Sequence, residues 1–164
     1  MKLSPKPINH IGVCVPDIIS AIKWYQNVLG FVLISGPRDI KLDRPNGPQA
    51  ADVLGPRLRH LRQAHLASGN GVGFELFQPV DPGYEARTEI VEFWRGGFFH
   101  ICVTDPDVRG LAGTIVESGG QLLSDFWEER LALDGSLMCY CSDPFGNVIE
   151  IYSHSYEIMQ SHRK

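Results

Sequence analysis

Apolar and polar residues along this chain follow two periods, and the whole pattern occurs twice. Short apolar runs at residues 8–15 and 98–104 have the length of strands, and a stretch with helical spacing of apolar residues follows each run. In the first stretch the spaced residues are Ile18, Ile22, Tyr25 and Leu29, and in the second they are Val108, Leu111, Ala112 and Ile115. Further strand-like runs follow at residues 31–35, 58–67, 72–78, 121–128, 136–141 and 147–152. The pattern predicts the order βαβββ in two related modules.

Cap residues support the helix boundaries. Asp17 precedes the first helix and is predicted to be its N-cap, while Asp105 is predicted to cap the second helix, with Pro106 at the first helical position. Gly30 and Gly119 stand where a left-handed residue ends a helix. The local signals therefore agree with the apolar spacing.

We predict an α+β fold in which one domain, residues 1–164, contains two tandem βαβββ modules in a mixed sheet. Module 1 spans about residues 6–80, a linker 81–97, module 2 about 98–153, and a polar tail 154–164. Residues 36–56 form an insertion in module 1, since prolines and glycines interrupt any periodicity there. In the linker, Ile90, Phe93 and Trp94 have the spacing of one helical turn that would pack on the sheet.

Composition narrows the class of protein. With 164 residues, 43% of them hydrophobic, the chain is long enough to bury a core. A net charge of −4 without a basic run argues against nucleic acid as the partner. No apolar stretch has the length of a membrane span, and residues 1–9 lack the apolar region of a signal peptide, so we expect a cytoplasmic protein. The cysteines (Cys14, Cys102, Cys139 and Cys141) lie in apolar runs and are expected to be reduced core thiols.

Chemistry-bearing residues recur at equivalent points of the two modules. A histidine opens the first strand of each module, and a glutamate lies in the last strand; these residues are His10, Glu75, His100 and Glu150. Each alone would usually be an ordinary hydrogen-bonded or solvated residue, but their duplicated placement favours a shared site. Two imidazoles and two carboxylates suit one divalent ion such as Mn, Fe, Co, Ni or Zn, with positions left for water or substrate.

Several segments resemble one family. They are residues 9–17 (NHIGVCVPD), 24–31, 74–77 (FELF), 99–103 (FHICV) and 143–150 (DPFGNVIE). Together they are similar to the vicinal oxygen chelate superfamily, also called the glyoxalase, bleomycin-resistance and extradiol dioxygenase group. The resemblance implies a cupped sheet around a metal that binds two adjacent oxygens of a small-molecule substrate. It also implies a homodimer, with the metal site either within one chain or shared between two.

Three activities follow from this resemblance. A glyoxalase I-like lyase or isomerase would use all four residues as ligands, with Glu75 or Glu150 also moving a proton of a metal-bound enolate or enediolate. Glutathione-binding members carry a basic residue and an amide where this chain has Cys14 and Pro79, and the stretch 75–79 is similar to that of methylmalonyl-CoA epimerase. An extradiol-type dioxygenase would bind Fe or Mn through His10, His100 and Glu150. A non-catalytic drug- or ligand-binding resistance protein would need no such quartet.

A few other residues are candidates for the site. The arginines of the insertion and the strand after it either form a solvated edge or clamp an anionic group; they are Arg38, Arg44, Arg57, Arg59 and Arg62. Gln63 and His65 share one face of a strand, and the hairpin register decides whether that face is the cleft. Asp125 and Glu128 are weaker acid–base candidates. Trp24, Trp94, Trp127 and Phe98 line either a groove or the core.

Overall fold

A computed structural model describes residues 4–128 and 135–161. The chain divides into two compact units, Met1–Ala86 and Arg87–Lys164. Each unit contains one of the two sequence repeats. In the described residues, no helix is both long and apolar enough to cross a membrane.

The first unit is a mixed four-stranded sheet with two helices. Its elements are β1 (His10–Cys14), α1 (Ile18–Leu29), β2 (Val32–Lys41), α2 (Gly47–Leu54), β3 (His60–Ala67) and β4 (Gly73–Asp81). The strand order is β1-β4-β3-β2, in which β1 and β4 are parallel and the other neighbours are antiparallel. The crossover through α1 therefore places the first strand beside the last.

The second unit repeats this arrangement. Its elements are β5 (His100–Thr104), α3 (Val108–Glu117), β6 (Gln121–Leu122), β7 (Met138–Ser142), β8 (Val148–Tyr152) and α4 (Tyr156–Ser161). The strand order is β5-β8-β7-β6, again with a parallel pair between the first and last strands. The predicted α+β fold with the order βαβββ in both modules is confirmed, with α2 and α4 as additions.

The caps of α1 are the predicted ones, whereas α3 begins differently. The Asp17 carboxylate accepts a hydrogen bond from the Ser20 amide at 2.7 Å, and Gly30 takes a left-handed conformation with φ of 66°. For α3 the prediction of Asp105 as the cap is wrong. The Asp105 carboxylate accepts instead from the amide of Asp107, two residues ahead, and the Asp107 carboxylate accepts from Gly110. This local turn around Asp105 moves the helix start past Pro106.

The insertion in the first unit is more regular than the sequence suggested. Strand β2 continues through residues 36–41 by means of two register shifts against β3, and α2 follows it. Ala50 and Ala51 of α2 pack on a buried cluster of Ile40, Leu58 and Leu61. Cross-strand pairing and contacts with this small cluster therefore hold the insertion in a regular structure, although its sequence has no clear periodicity.

Two local predictions are wrong in the second unit. The strand expected at residues 121–128 is reduced to Gln121–Leu122 and an isolated bridge at Trp127. The helical turn expected in the linker is absent from residues 82–99, and Phe93 and Trp94 are 70% and 61% exposed. Gly96 and Gly97 follow one residue later, and glycine disfavours a helix.

The prediction of four core thiols is also only half right: the described cysteines are free, but Cys14 and Cys102 are exposed.

Each unit has a core on the helix side of its sheet. In the first unit Tyr25 of α1 contacts the rings of Phe31 and Phe74, with centroids 5.9 and 4.7 Å apart. In the second unit Ala112 and Ile115 of α3 are buried, as are Ile149 and Ile151 of β8. Because alternate residues of a strand face opposite sides, the intervening residues of β4 and β8 are directed away from these helices.

Candidate functional site

The histidine and glutamate of each module stand in the same register. In the parallel pair of the first unit, Glu75 lies opposite Gly12, two residues after His10. In the second unit, Glu150 lies opposite Cys102, two residues after His100. We call His10 with Glu75 the first pair, and His100 with Glu150 the second pair. The backbone therefore brings the predicted residues together in twos, by the same geometry in both units.

The first pair lies on the sheet face opposite α1. His10 Nε2 is 3.6 Å from Glu75 Oε2, which is longer than a good hydrogen bond. His10 Nδ1 is 2.8 Å from the side-chain oxygen of Asn9. An amide oxygen only accepts, so Nδ1 carries the proton in this contact and Nε2 of neutral His10 presents its lone pair. This imidazole nitrogen and this carboxylate oxygen are both available as metal ligands.

Glycines make room for the first pair. Gly73 lies directly opposite His10, and a Cβ at position 73 would come within 2.8 Å of His10 Cβ. Gly12 lies opposite Glu75, and a Cβ there would meet the ring of Phe77 at 3.0 Å. Gly73 therefore leaves the room that His10 occupies, whereas a side chain at Gly12 would meet Phe77 rather than Glu75.

His65 completes the surroundings of Glu75. It lies opposite Glu75 in the antiparallel pair of β3 and β4, and its Nδ1 is 3.1 Å from Glu75 Oε1. The register that the sequence left open thus turns His65 toward the first pair. Arg38 of β2 reaches both Gln63 and His65 through its Nη2 atom, at 3.1 and 3.2 Å.

The other arginines of the predicted cluster have different contacts. Arg59 donates to the carbonyl oxygens of Pro56 and Leu58. Arg62 Nη1 lies 3.4 Å from Gln78 Oε1, which also accepts from the amide of Ile18 at the start of α1. The contacts of Arg59 are thus with a loop, and the contact of Arg62 is on the α1 side of the sheet.

The second pair is more deeply buried. His100 Nε2 lies 3.1 Å from Glu150 Oε2, and Glu150 is only 4% exposed. His100 Nδ1 is buried and has no hydrogen-bond partner within the described part of the chain. The edge of the His100 ring meets Tyr140, with centroids 5.5 Å apart.

Two neutral donors surround Glu150. Tyr140 lies opposite Glu150 in the pair of β7 and β8, and burial together with a hydrogen bond to Glu150 raises the pKa of its hydroxyl. Partial desolvation of the Cys102 thiol, followed by the charge of Glu150, likewise raises the pKa of this thiol, although the residue as a whole is exposed. Both groups therefore stay protonated at neutral pH. Sequence reasoning missed Tyr140 and Cys102, although counting back from the turn at residues 143–147 gives the register that places Tyr140 beside Glu150.

The weaker candidates do not join either pair. Glu128 forms an exposed ion pair with Arg109 at 2.7 Å, and the backbone oxygen of Asp125 accepts a hydrogen bond from the Ser124 hydroxyl. Trp24 is a core residue, 7% exposed, whereas Trp94 and Phe98 are largely exposed. Trp127 contacts the ring of Tyr140, with centroids 6.4 Å apart.

The donor chemistry fits a divalent ion, but each unit by itself offers only part of a site. Imidazole nitrogen and carboxylate oxygen bound at about 2.1 Å to adjacent positions of one ion would lie about 3.0 Å apart. The observed separations of 3.6 and 3.1 Å are near that value. Over residues 4–128 and 135–161, no three His, Cys, Asp or Glu side chains form a group that could hold a metal ion. Each pair by itself therefore supplies two ligands of the kind a divalent ion prefers.

The duplicated βαβββ fold is that of the vicinal oxygen chelate class, and in this chain each unit carries one histidine–glutamate pair. A family model described as the Glyoxalase/Bleomycin resistance protein/Dioxygenase superfamily matches residues 7–151. The chain belongs to this superfamily. The comparison with curated proteins finds no match.

Solved structures share the fold at low sequence identity. A glyoxalase family protein from Bacillus cereus is 18% identical, with a TM-score of 0.72, over 92% of this chain and 95% of that one. The fosfomycin resistance protein FosX from Listeria monocytogenes is 12% identical, with a TM-score of 0.61, over 94% and 96% of the two chains. A glyoxalase I variant from Zea mays is 20% identical, with a TM-score of 0.58, over 90% of this chain but 45% of that one. At these identities the likeness concerns the fold.

Proposed function

We propose that this protein is a metal-dependent lyase or isomerase that moves a proton at a carbon next to a carbonyl group. Its substrate would be a small molecule with vicinal oxygens, such as an α-hydroxy or α-keto carbonyl compound. The observation that carries the proposal is the identical register of the two pairs, each with one imidazole nitrogen and one carboxylate oxygen within 3.6 Å.

In this proposal the four residues of the two pairs hold one divalent ion, which is Zn, Ni, Co, Mn or Fe; they are His10, Glu75, His100 and Glu150. When bound, the ion would act as a Lewis acid that stabilises negative charge on substrate oxygens. Superfamily membership supports this expectation, and one solved FosX variant from Listeria monocytogenes is a complex with Mn(II) and a dihydroxypropylphosphonic acid.

The glutamates are the proton-transfer candidates. A carboxylate must lie within hydrogen-bond reach of the carbon acid to accept its proton. Glu150 is only 4% exposed, so water has little access to its carboxylate, and the neighbouring Tyr140 and Cys102 stay protonated. Glu75 is more exposed, at 21% of its side chain, and one oxygen is engaged by His65. Both glutamates are candidates for the proton-transferring group, and substituting each of them in turn distinguishes the two.

The first test is metal analysis of native protein and of Glu75→Ala, with Glu117→Ala as a matched control at the exposed end of α3. We expect about one divalent ion per chain in the native protein and the control, and a clear loss in Glu75→Ala. Iron retained in Glu75→Ala would instead favour the dioxygenase, which needs only His10, His100 and Glu150. No bound ion, and no uptake on incubation, would favour a non-catalytic binding protein.

The second test is solvent-deuterium incorporation at the acidic carbon of small α-hydroxy and α-keto carbonyl compounds, followed by NMR. Glu150→Gln and Glu75→Gln each keep an oxygen ligand but lose the base. We expect deuterium incorporation to collapse in the variant that lacks the proton-transferring glutamate while its metal content stays near the native value. Incorporation equal to native in both variants would overturn the proposed chemistry.

A third test asks whether the two pairs that bind one ion come from one chain or from two copies in a homodimer. His10→Ala and His100→Ala are each expected to lose the ion. If the site is shared, random mixing of the two variants gives mixed dimers with one intact site, and about a quarter of the native metal per chain returns. If both pairs come from the same chain, mixing restores none.

A further inference from the structure

A line of polar side chains crosses the first sheet from the edge strand β2 to β4. Arg38 Nη2 lies 3.2 Å from His65 Nε2, and His65 Nδ1 lies 3.1 Å from Glu75 Oε1. Gln63 Oε1 accepts a second bond from Arg38 Nη2 at 3.1 Å. These contacts are possible because β2, β3 and β4 pair in the register that places Arg38 opposite Gln63, and His65 opposite Glu75.

The hydrogen-bond directions in this line follow from the groups themselves. A guanidinium has only donors, so His65 Nε2 must accept from Arg38 with its lone pair. The proton of the neutral ring is then on Nδ1, which donates to Glu75 Oε1. The two hydrogens of Arg38 Nη2 are both used, one by His65 and one by Gln63. Hence His65 has no free nitrogen in this arrangement, and it is a poor candidate for a metal ligand.

We propose that Arg38 and His65 are positioning residues for Glu75: Arg38 holds the His65 ring, and His65 holds the Glu75 carboxylate by its Oε1 atom. Glu75 Oε2, which faces His10 Nε2 at 3.6 Å, is then the oxygen left to bind the ion. The assignment of Oε2 as the metal-binding oxygen rests on the proposed function, whereas the hydrogen bonds from Arg38 to His65 and from His65 to Glu75 do not.

The surroundings of the line favour this role over simple surface decoration. His65 and Glu75 are 24% and 21% exposed in their side chains, so their contact is partly shielded from water. In the second unit, Tyr140 stands opposite Glu150 just as His65 stands opposite Glu75. A donor therefore approaches the glutamate from the neighbouring strand in both units. Only in the first unit does that donor need a fixed tautomer, since imidazole can carry its proton on either nitrogen.

The tautomer of His65 is measurable without any metal. Long-range proton–nitrogen NMR of the metal-free protein should show His65 protonated at Nδ1 and unprotonated at Nε2. In Arg38→Met the Nε2 resonance should move toward the position of a free lone pair, because its donor is gone. Arg57→Met, at an exposed arginine outside this line, is the control and should leave the resonance unchanged. A proton on Nε2 in the native protein, or an unchanged resonance in Arg38→Met, would overturn the proposal.

Metal affinity then tests the consequence for Glu75. Outer groups that hold a ligand typically contribute about 10–100-fold in metal affinity, so His65→Phe should weaken Mn²⁺ binding by about that factor. His65→Asn, whose amide stands near the place of Nδ1, should recover most of the loss. Equal affinity of His65→Phe and native protein would overturn the positioning role. If native protein binds no Mn²⁺ or other divalent ion, the proposed function fails. The NMR experiment alone then tests whether Arg38 holds His65 and His65 holds Glu75.

Discussion

Gly73 lies directly opposite His10 across the parallel strands β4 and β1, and a methyl group at Gly73 would stand 2.8 Å from His10 Cβ. A carbon–carbon contact that short cannot persist, so either the imidazole or the strand must shift. The absence of a side chain at position 73 is thus part of how the first pair is assembled.

Gly73→Ala should therefore weaken divalent-ion binding while the fold is kept. We expect a loss of about tenfold or more in affinity, comparable with the loss of a group that orients a ligand. Isothermal titration with Co²⁺ or Mn²⁺ measures it, and circular dichroism checks the fold. Gly69→Ala, where an added Cβ meets nothing within 4 Å, is the matched control and should bind like the native protein. Native affinity in Gly73→Ala would mean that His10 does not bind the ion from this position.

Tyr140→Phe removes the hydroxyl that donates to buried Glu150 and keeps the ring. Hydrogen bonds to charged groups contribute about 1.5–3 kcal/mol, so we expect the free energy of unfolding to fall by about that amount at neutral pH. Urea denaturation of the metal-free protein measures the change. Tyr156→Phe, at an exposed position of α4, should have almost no effect. If the two variants are equally stable, the hydroxyl of Tyr140 does not support Glu150.

Asp17→Ala should destabilise the first unit by about 0.5–2 kcal/mol at neutral pH, since the N-cap bond to the Ser20 amide is lost. That backbone hydrogen bond also lowers the pKa of Asp17. A lowered folded-state pKa gives stability that is present above the unfolded value, near 3.9, and is lost as the pH falls through the folded value. Urea unfolding should thus show a large difference from native at pH 7 and a small one near pH 2.5. Asp52→Ala on α2 is the control, and a pH-independent difference would contradict the cap.

Met159→Ala tests the short helix α4. Met159 is 3% exposed and packs with Met138 and Tyr152, so its truncation should cost about 2–5 kcal/mol in the free energy of unfolding. Ile158→Ala, on the same helix but 42% exposed, should cost far less. Equal effects in the two variants would show that the tail does not dock on the sheet of the second unit.

Much of the fold could be predicted because its signals are local. The βαβββ order, the Asp17 cap and the left-handed Gly30 each depend on residues within one or two turns of each other. The failures were also local. Asp105 looks like a cap as good as Asp107, but in the structure the carboxylate of Asp107 accepts from the helix amide of Gly110, whereas that of Asp105 accepts from Asp107.

The candidate site could be predicted only in part. The repeat singled out His10, Glu75, His100 and Glu150 as candidates, and the register places each histidine near the glutamate of its own module. The tail helix was not predicted, because its apolar content is small and its burial depends on packing of Met159 against Met138 and Tyr152 of the β7–β8 hairpin.

By itself, then, the sequence determined two modules of one architecture and singled out four residues as candidate metal ligands. The tertiary structure alone decided which groups stand beside the glutamates, namely His65 with Arg38 in one unit and Tyr140 with Cys102 in the other. The physical reason is the period of a strand: a shift of one residue in pairing turns every side chain to the opposite face. Gly36 and Pro37 mark one of the two register shifts of β2 against β3, but the sequence does not say how large each shift is, and that determines where Arg38 stands relative to His65.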